Sequence, residues 1–229
     1  MDRAAGNAAS VVSAIAKGSG MPYTDDFHRF LQEVKAAYTA ARDRQPELSP
    51  DLDILTAALS ELPTDRIQIP AQTQPVCRHL EEALALGEKG PAAPLIRALR
   101  PLVERLCWRH VYDLDGSLPA FSQNYAHAEI MGPPSTVPSQ AMRCGLILMA
   151  PRTFYPAHFH TAPELYQVLG GAARWQRGEE TWGLRPPGSF ILHPSRMAHA
   201  METDEEPLLA LYAWHGSLEP DVAFAEGAL

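Results

Sequence analysis

The chain has 229 residues, 46% hydrophobic and 20% charged, the balance of an ordinary soluble globular protein. A formal net charge of −8 and the want of any Lys/Arg cluster argue against a nucleic-acid surface. No apolar run reaches the roughly 18–20 residues of a membrane-spanning helix, so no membrane partner is expected. Residues 1–20 are rich in Ala, Ser and Gly and lack the apolar core of a secretory signal. Cys77, Cys107 and Cys144 are scattered and never paired as CxxC, which fits reduced thiols and makes a cytoplasmic setting the default.

Residues 1–106 read as helical and 107–229 as β, together forming one structural unit. Between Thr24 and Arg44 a 3.6-residue stripe runs through Phe27, Phe30, Leu31, Val34, Tyr38 and Ala41. Ser49-Pro50 has the form of an N-cap followed by proline at the first helical position. That helix would bury Leu52, Leu55, Leu59 and Leu62. A third helix is expected from Pro75 to Leu86, with Gly87 as its stop. A fourth spans Ala92 to Leu106, kinked or split by Pro101.

After Trp108 the period changes to two. Strands are expected at 125–131, 144–149, 172–176, 180–184, 189–193 and 208–215, separated by glycine- and proline-bearing turns. The proline-rich stretch 132–138 is expected to be a loop, one candidate for covering the mouth of a barrel. No glycine-rich phosphate loop is present, so no nucleotide cofactor is expected.

Chemistry concentrates in His158-Phe-His160-Thr-Ala-Pro-Glu164-Leu-Tyr166, answered by His199. Side chains two apart on a strand share a face, so His158 and His160 project together. Glu164, Tyr166 and Val168 have the same parity, with Pro163 bending the strand between. Three imidazoles and a carboxylate are a nearly complete shell for a divalent metal with positions left open. Such N/O donors admit Zn, Fe, Mn, Ni, Co or Cu without choosing among them. Tyr166 has three readings: an anionic base made easier to ionise by a nearby cation, a ligand, or a core tyrosine. Aromatics also gather here, among them Tyr155, Trp175, Trp182, Tyr212 and Trp214; aromatic faces attract onium groups.

The pattern His158-x-His160-x3-Glu164-x6-Gly171, then Gly188-x5-Pro194-x-Arg196-x2-His199-x3-Thr203, resembles the two motifs of the cupin superfamily. The resemblance implies a double-stranded, jelly-roll-like β-barrel with the helical region packed on it. The metal would sit inside on His158, His160, Glu164 and His199. Arg152 and Arg196 stand where the motifs carry glycine, and Thr203 where they end in asparagine. The second half of the chain further resembles the cupin-type dimethylsulfoniopropionate lyases of marine bacteria. The matching pieces are Tyr125-Ala-His127-Ala-Glu129, Tyr155-Pro-Ala-His158, Glu164-x-Tyr166, the His193-Pro194 to His199 segment and Pro207 to Tyr212.

That likeness implies β-elimination of dimethylsulfoniopropionate to dimethyl sulfide and acrylate, with the substrate carboxylate on the metal and Tyr166 as base. Tyr155 is the runner-up base and, with Trp214, would hold the substrate. Tyr125, His127, Glu129, Trp182 and His193 are further pocket candidates. The expected partner is a zwitterionic small molecule; a homodimer is left open. Competing readings are another metal-cupin enzyme, such as a dioxygenase or isomerase, and a non-catalytic cupin that senses a small ligand.

Overall fold

The computed structural model describes residues 25–110 and 119–227. The expectations for residues 1–20 and for Thr24 lie outside them. Four helices precede the barrel: α1 (Asp25–Arg44), α2 (Ser49–Ala58), α3 (Leu80–Gly87) and α4 (Ala93–Leu99). A short α5 (Pro119–Asn124), not anticipated from the sequence, leads into the strands. The α1 stripe is buried at all six expected positions, from Phe27 to Ala41. Pro101 divides the fourth helical segment as expected, since it follows α4 within a 3₁₀ stretch over Arg100–Arg105.

Two helix ends differ from expectation. Ser49 is the first residue of α2 rather than its cap; Leu48 holds the cap position and gives no side-chain bond. Gly87 closes α3 for packing rather than for a left-handed turn. A Cβ there would lie 2.6 Å from the Leu169 carbonyl oxygen, so only glycine lets the helix meet the sheet.

The barrel is built from β1 (Tyr125–Gly132), β2 (Val137–Pro138), β3 (Arg143–Met149), β4 (Phe154–Phe159), β5 (Glu164–Gly170), β6 (Ala173–Arg177), β7 (Gly183–Arg185), β8 (Phe190–His193), β9 (His199–Thr203), β10 (Leu208–Trp214) and β11 (Ala223–Phe224). Six strands form one sheet, β2-β1-β3-β10-β5-β8, and five the other, β11-β4-β9-β6-β7. The strand expected at 180–184 starts only at Gly183, after a turn.

Alternation divides the six-stranded sheet cleanly. On β10, Leu208, Ala210, Tyr212 and Trp214 face the barrel interior, while Leu209, Leu211 and Ala213 join the helices in a second core. The helices therefore cover the outer face of this sheet, and β10 is buried along its whole length. His215, whose Nε2 lies 2.8 Å from Asp51 on α2, adds a polar tie between the two regions.

The two cupin-motif positions that carry arginine in place of glycine explain themselves. Arg152 and Arg196 have φ of 53° and 62° and are the non-glycine residues of positive φ among those described. Their turns need the left-handed backbone that glycine adopts freely. Thr203, where the motif ends in asparagine, ties two strand ends together: its buried hydroxyl accepts from the Thr153 N–H at 2.9 Å and donates to the Ala150 carbonyl at 2.6 Å.

Candidate metal centre and its cavity

The expectation of one bent strand from His158 to Val168 is corrected. His158 lies on β4 in the five-stranded sheet, whereas Glu164 opens β5 in the other sheet, with residues 160–163 crossing between them. His158 and His199 are cross-strand partners on β4 and β9, and Glu164 pairs with Trp214 on one side and His193 on the other. The site thus takes donors from both sheets and from the connection joining them.

Ligand atoms of His160, Glu164 and His199 lie within 4.8 Å of one another, all three residues buried. His158 stands outside that tightest group but beside it, its ring centroid 4.1 Å from that of His199. Each of these imidazoles is held the same way. Nδ1 of His158 lies 2.9 Å from the Pro156 carbonyl, that of His160 2.9 Å from Ala162, and that of His199 2.9 Å from Met197. A ring donating its Nδ1–H to a carbonyl presents Nε2 as a bare lone pair, the form a metal requires.

Glu164 Oε2 lies 3.1 Å from His160 Nε2 and 3.2 Å from His199 Nε2. His199 Nε2 is nevertheless without an aligned hydrogen bond, so a lone pair and a carboxylate oxygen face each other in a buried site. A cation between them removes that conflict. Metal–ligand bonds of about 2.1 Å at right or tetrahedral angles set donor atoms about 3.0–3.4 Å apart, which matches these separations. The donor set fits a divalent transition metal.

Charge reinforces this reading. Burial opposes ionisation of Glu164, but its imidazole partners, His160 first, outweigh it and hold the carboxyl well below the usual range. For His160 burial is likewise outweighed, here by Glu164, and the imidazole is raised. His158 is pushed well down, by burial first and then by His199. His193, fully buried, stacks flat on His199 at 3.9 Å with Nδ1 3.8 Å from Glu164 Oε2. Burial pushes it down to about 3. It backs the ligands rather than facing the cavity.

The cavity in front of the centre encloses about 100 Å³ and includes Tyr125, His127, Tyr155, Tyr166 and Trp214 in its wall. Tyr155 faces inward only because the β4–β9 register slips between Tyr155 and His158; strict alternation would turn it away from that histidine. Its ring instead stacks on His158 at 4.1 Å. Trp214 stacks on His160 at 4.3 Å and donates its indole N–H to Glu164 Oε1 at 2.6 Å, so it orients the carboxylate as well as lining the wall. Tyr166 is 3% exposed, with its ring edge-on to His193.

Trp182 is not part of the pocket. It is 38% exposed and leans on Phe154 at the surface. The loop at 132–138 does not cover the mouth; Val137 is buried against the helical core, and the wall instead includes Pro220 and Val222 from the segment after β10. Arg143, at the entry to β3, also lines the cavity, and nothing near it in the sequence marks it out beyond an inward parity shared with Ile147 on an otherwise apolar strand.

The family model for dimethylsulfoniopropionate lyases matches residues 51–210, well over half of the chain. The chain belongs to the dimethylsulfoniopropionate (DMSP) lyase family. A Cereibacter sphaeroides protein assigned as DMSP lyase DddL is 37% identical over 153 residues, covering 66% of this chain and 63% of its own length. The DMSP lyase DddQ of Ruegeria pomeroyi is 29% identical over 124 residues, 53% of this chain and 62% of that protein. The chain thus spans somewhat under two thirds of these curated relatives. Among solved structures, one from the work on the DMSP lyases RdDddP and RnDddQII superposes with a TM-score of 0.69 at 25% identity, over 88% of this chain and 98% of that one. The Ruegeria pomeroyi DddQ crystal structure gives a TM-score of 0.62 at 24% identity, over 86% and 98%, and shares the fold. Over most of its length the chain shares the fold of these two solved structures.

Proposed function

We propose that this DMSP-lyase-family protein cleaves dimethylsulfoniopropionate to dimethyl sulfide and acrylate. A divalent metal would be held by His158, His160, Glu164 and His199. The observation that carries the reading is the conflict at Glu164, where the unpartnered Nε2 of His199 meets a buried carboxylate in the wall of an aromatic cavity. A bound cation would supply Lewis-acid polarisation of the substrate carboxylate and make its α-proton more acidic.

The remaining work falls to side chains. Tyr166, two residues after Glu164 on β5 and in the wall of the same cavity, acts as the phenolate and takes the α-proton on its oxygen, becoming the neutral phenol. The C–H electrons form the new double bond as the C–S bond breaks, and its electron pair leaves on sulfur as neutral dimethyl sulfide. Tyr155 is the second phenol in reach and the alternative base. The faces of Tyr125, Tyr155 and Trp214 suit the sulfonium. No helix of the described residues is long and apolar enough to cross a membrane. The three free thiols support a cytoplasmic setting.

Headspace gas chromatography after adding the substrate, with elemental analysis of the purified protein, tests this directly. Dimethyl sulfide should appear in step with metal content among Zn, Fe, Mn, Ni or Co. Oxygen uptake without dimethyl sulfide would assign the site to a dioxygenase cupin instead.

A further inference from the structure

The cavity contains a second carboxylate, remote in sequence from the metal ligands. Glu129 follows Tyr125 and His127 on the inward face of β1 and lines the same cavity. Arg143 Nη1 donates to its Oε2 at 2.5 Å, and the Ser135 hydroxyl donates to its Oε1. Two glycines clear space for it. A Cβ at Gly132 would lie 2.7 Å from Glu129 Oε1, and one at Gly145 would lie 2.8 Å from both the Glu129 Cα and the Tyr212 hydroxyl.

This pair is only 17% and 13% exposed, so both ions have lost most of their hydration. Ion pairs that serve cohesion alone gain little from such burial. A zwitterion whose carboxylate is held at the imidazole centre presents its cation away from that centre, toward whatever charge the far wall offers. Arg143 spends Nη1 on Glu129 and Nε on the Leu218 carbonyl at 2.7 Å. Burial holds His127 neutral, pushed down to about 4, so it adds no competing positive charge on β1.

We infer that Glu129 is a specificity-determining residue that attracts the cationic head of the substrate, with Arg143 and Ser135 fixing its carboxylate. The inference rests on the lyase reading for the identity of the cation, a sulfonium. It has a kinetic consequence: the sulfonium keeps its charge both in the bound substrate and while the α-proton is taken, so the attraction is the same in the two, and it ends only once the C–S bond has broken. Glu129 therefore contributes to KM and not to kcat, and it lets the neutral product go.

The test compares dimethylsulfoniopropionate with 4-methylpentanoate, its uncharged-tail isostere, as substrate and competitive inhibitor. Glu129→Gln should raise KM for the sulfonium about tenfold, the size of one partly desolvated charge contact. It should leave kcat within about twofold, metal content unchanged, and the inhibition constant of the isostere where it was. A KM unmoved by Glu129→Gln or an equal weakening of both ligands would overturn the inference. If Glu129→Gln does not fold, Glu129→Asp retracts the charge and carries the same expectation. Should the wild type release no dimethyl sulfide, the lyase reading fails. Calorimetric binding of the two ligands then judges Glu129 by itself, and equal affinities would sink it.

Discussion

Two carboxylates line one cavity in different company. Glu164 sits among imidazoles, one of which, His199, turns an unpartnered Nε2 toward it, while Glu129 accepts hydrogen bonds from a guanidinium and a hydroxyl. The first arrangement has the donor set of a cation site; the second has its carboxylate fixed in place by permanent donors. A carboxylate facing lone pairs is a place for a metal, whereas one with permanent donors is a fixed charge. Glu164 is buried and Glu129 mostly so, and burial alone does not tell a ligand from a counter-charge.

The largest effect is expected at the metal end. His160→Ala removes the ring that touches Glu164 and stacks on Trp214, and should lose metal and activity together. Elemental analysis showing a fully metallated, active variant would erase the contrast between the two ends. Tyr166→Phe should come next, cutting kcat by about 10²–10⁴-fold, the range for a general base, with metal content near wild type. Unchanged turnover would move the proton transfer to Tyr155. Glu129→Gln should follow with its selective, roughly tenfold change in KM.

The smallest effect concerns the turn beside the ligands. Arg196, whose N–H bonds the His160 carbonyl at 2.9 Å, holds a left-handed backbone. Arg196→Gly should relieve about 1 kcal/mol of backbone strain, partly offset by the freer unfolded chain, and raise the melting temperature slightly. Metal content and KM should stay constant at both ends. A loss of metal would mean that the arginine side chain, not its backbone, supports the centre.

The α1 stripe was legible because each apolar residue had to find the same core. The α2 cap was not, because Leu48 precedes the helix from a 3₁₀ turn that makes Ser49 already helical. Among site residues, the ligand quartet stood out through its spacing and chemistry. Trp182 misled because an aromatic near a motif in sequence can still lie on the outside of a β7 edge. Arg143 carried too little local signal to be chosen.

By itself the sequence determined the helical first half, most of the strands after it, the candidate donor residues and the phenol two positions beyond Glu164. These follow from local periodicity and from side-chain chemistry, both of which a short window contains. Only the tertiary structure decided that β4 and β5 belong to opposite sheets, that a register slip turns Tyr155 inward, and that Arg143 meets Glu129. Those outcomes depend on which strands pair and in what register, an energy summed over contacts between residues far apart in the chain.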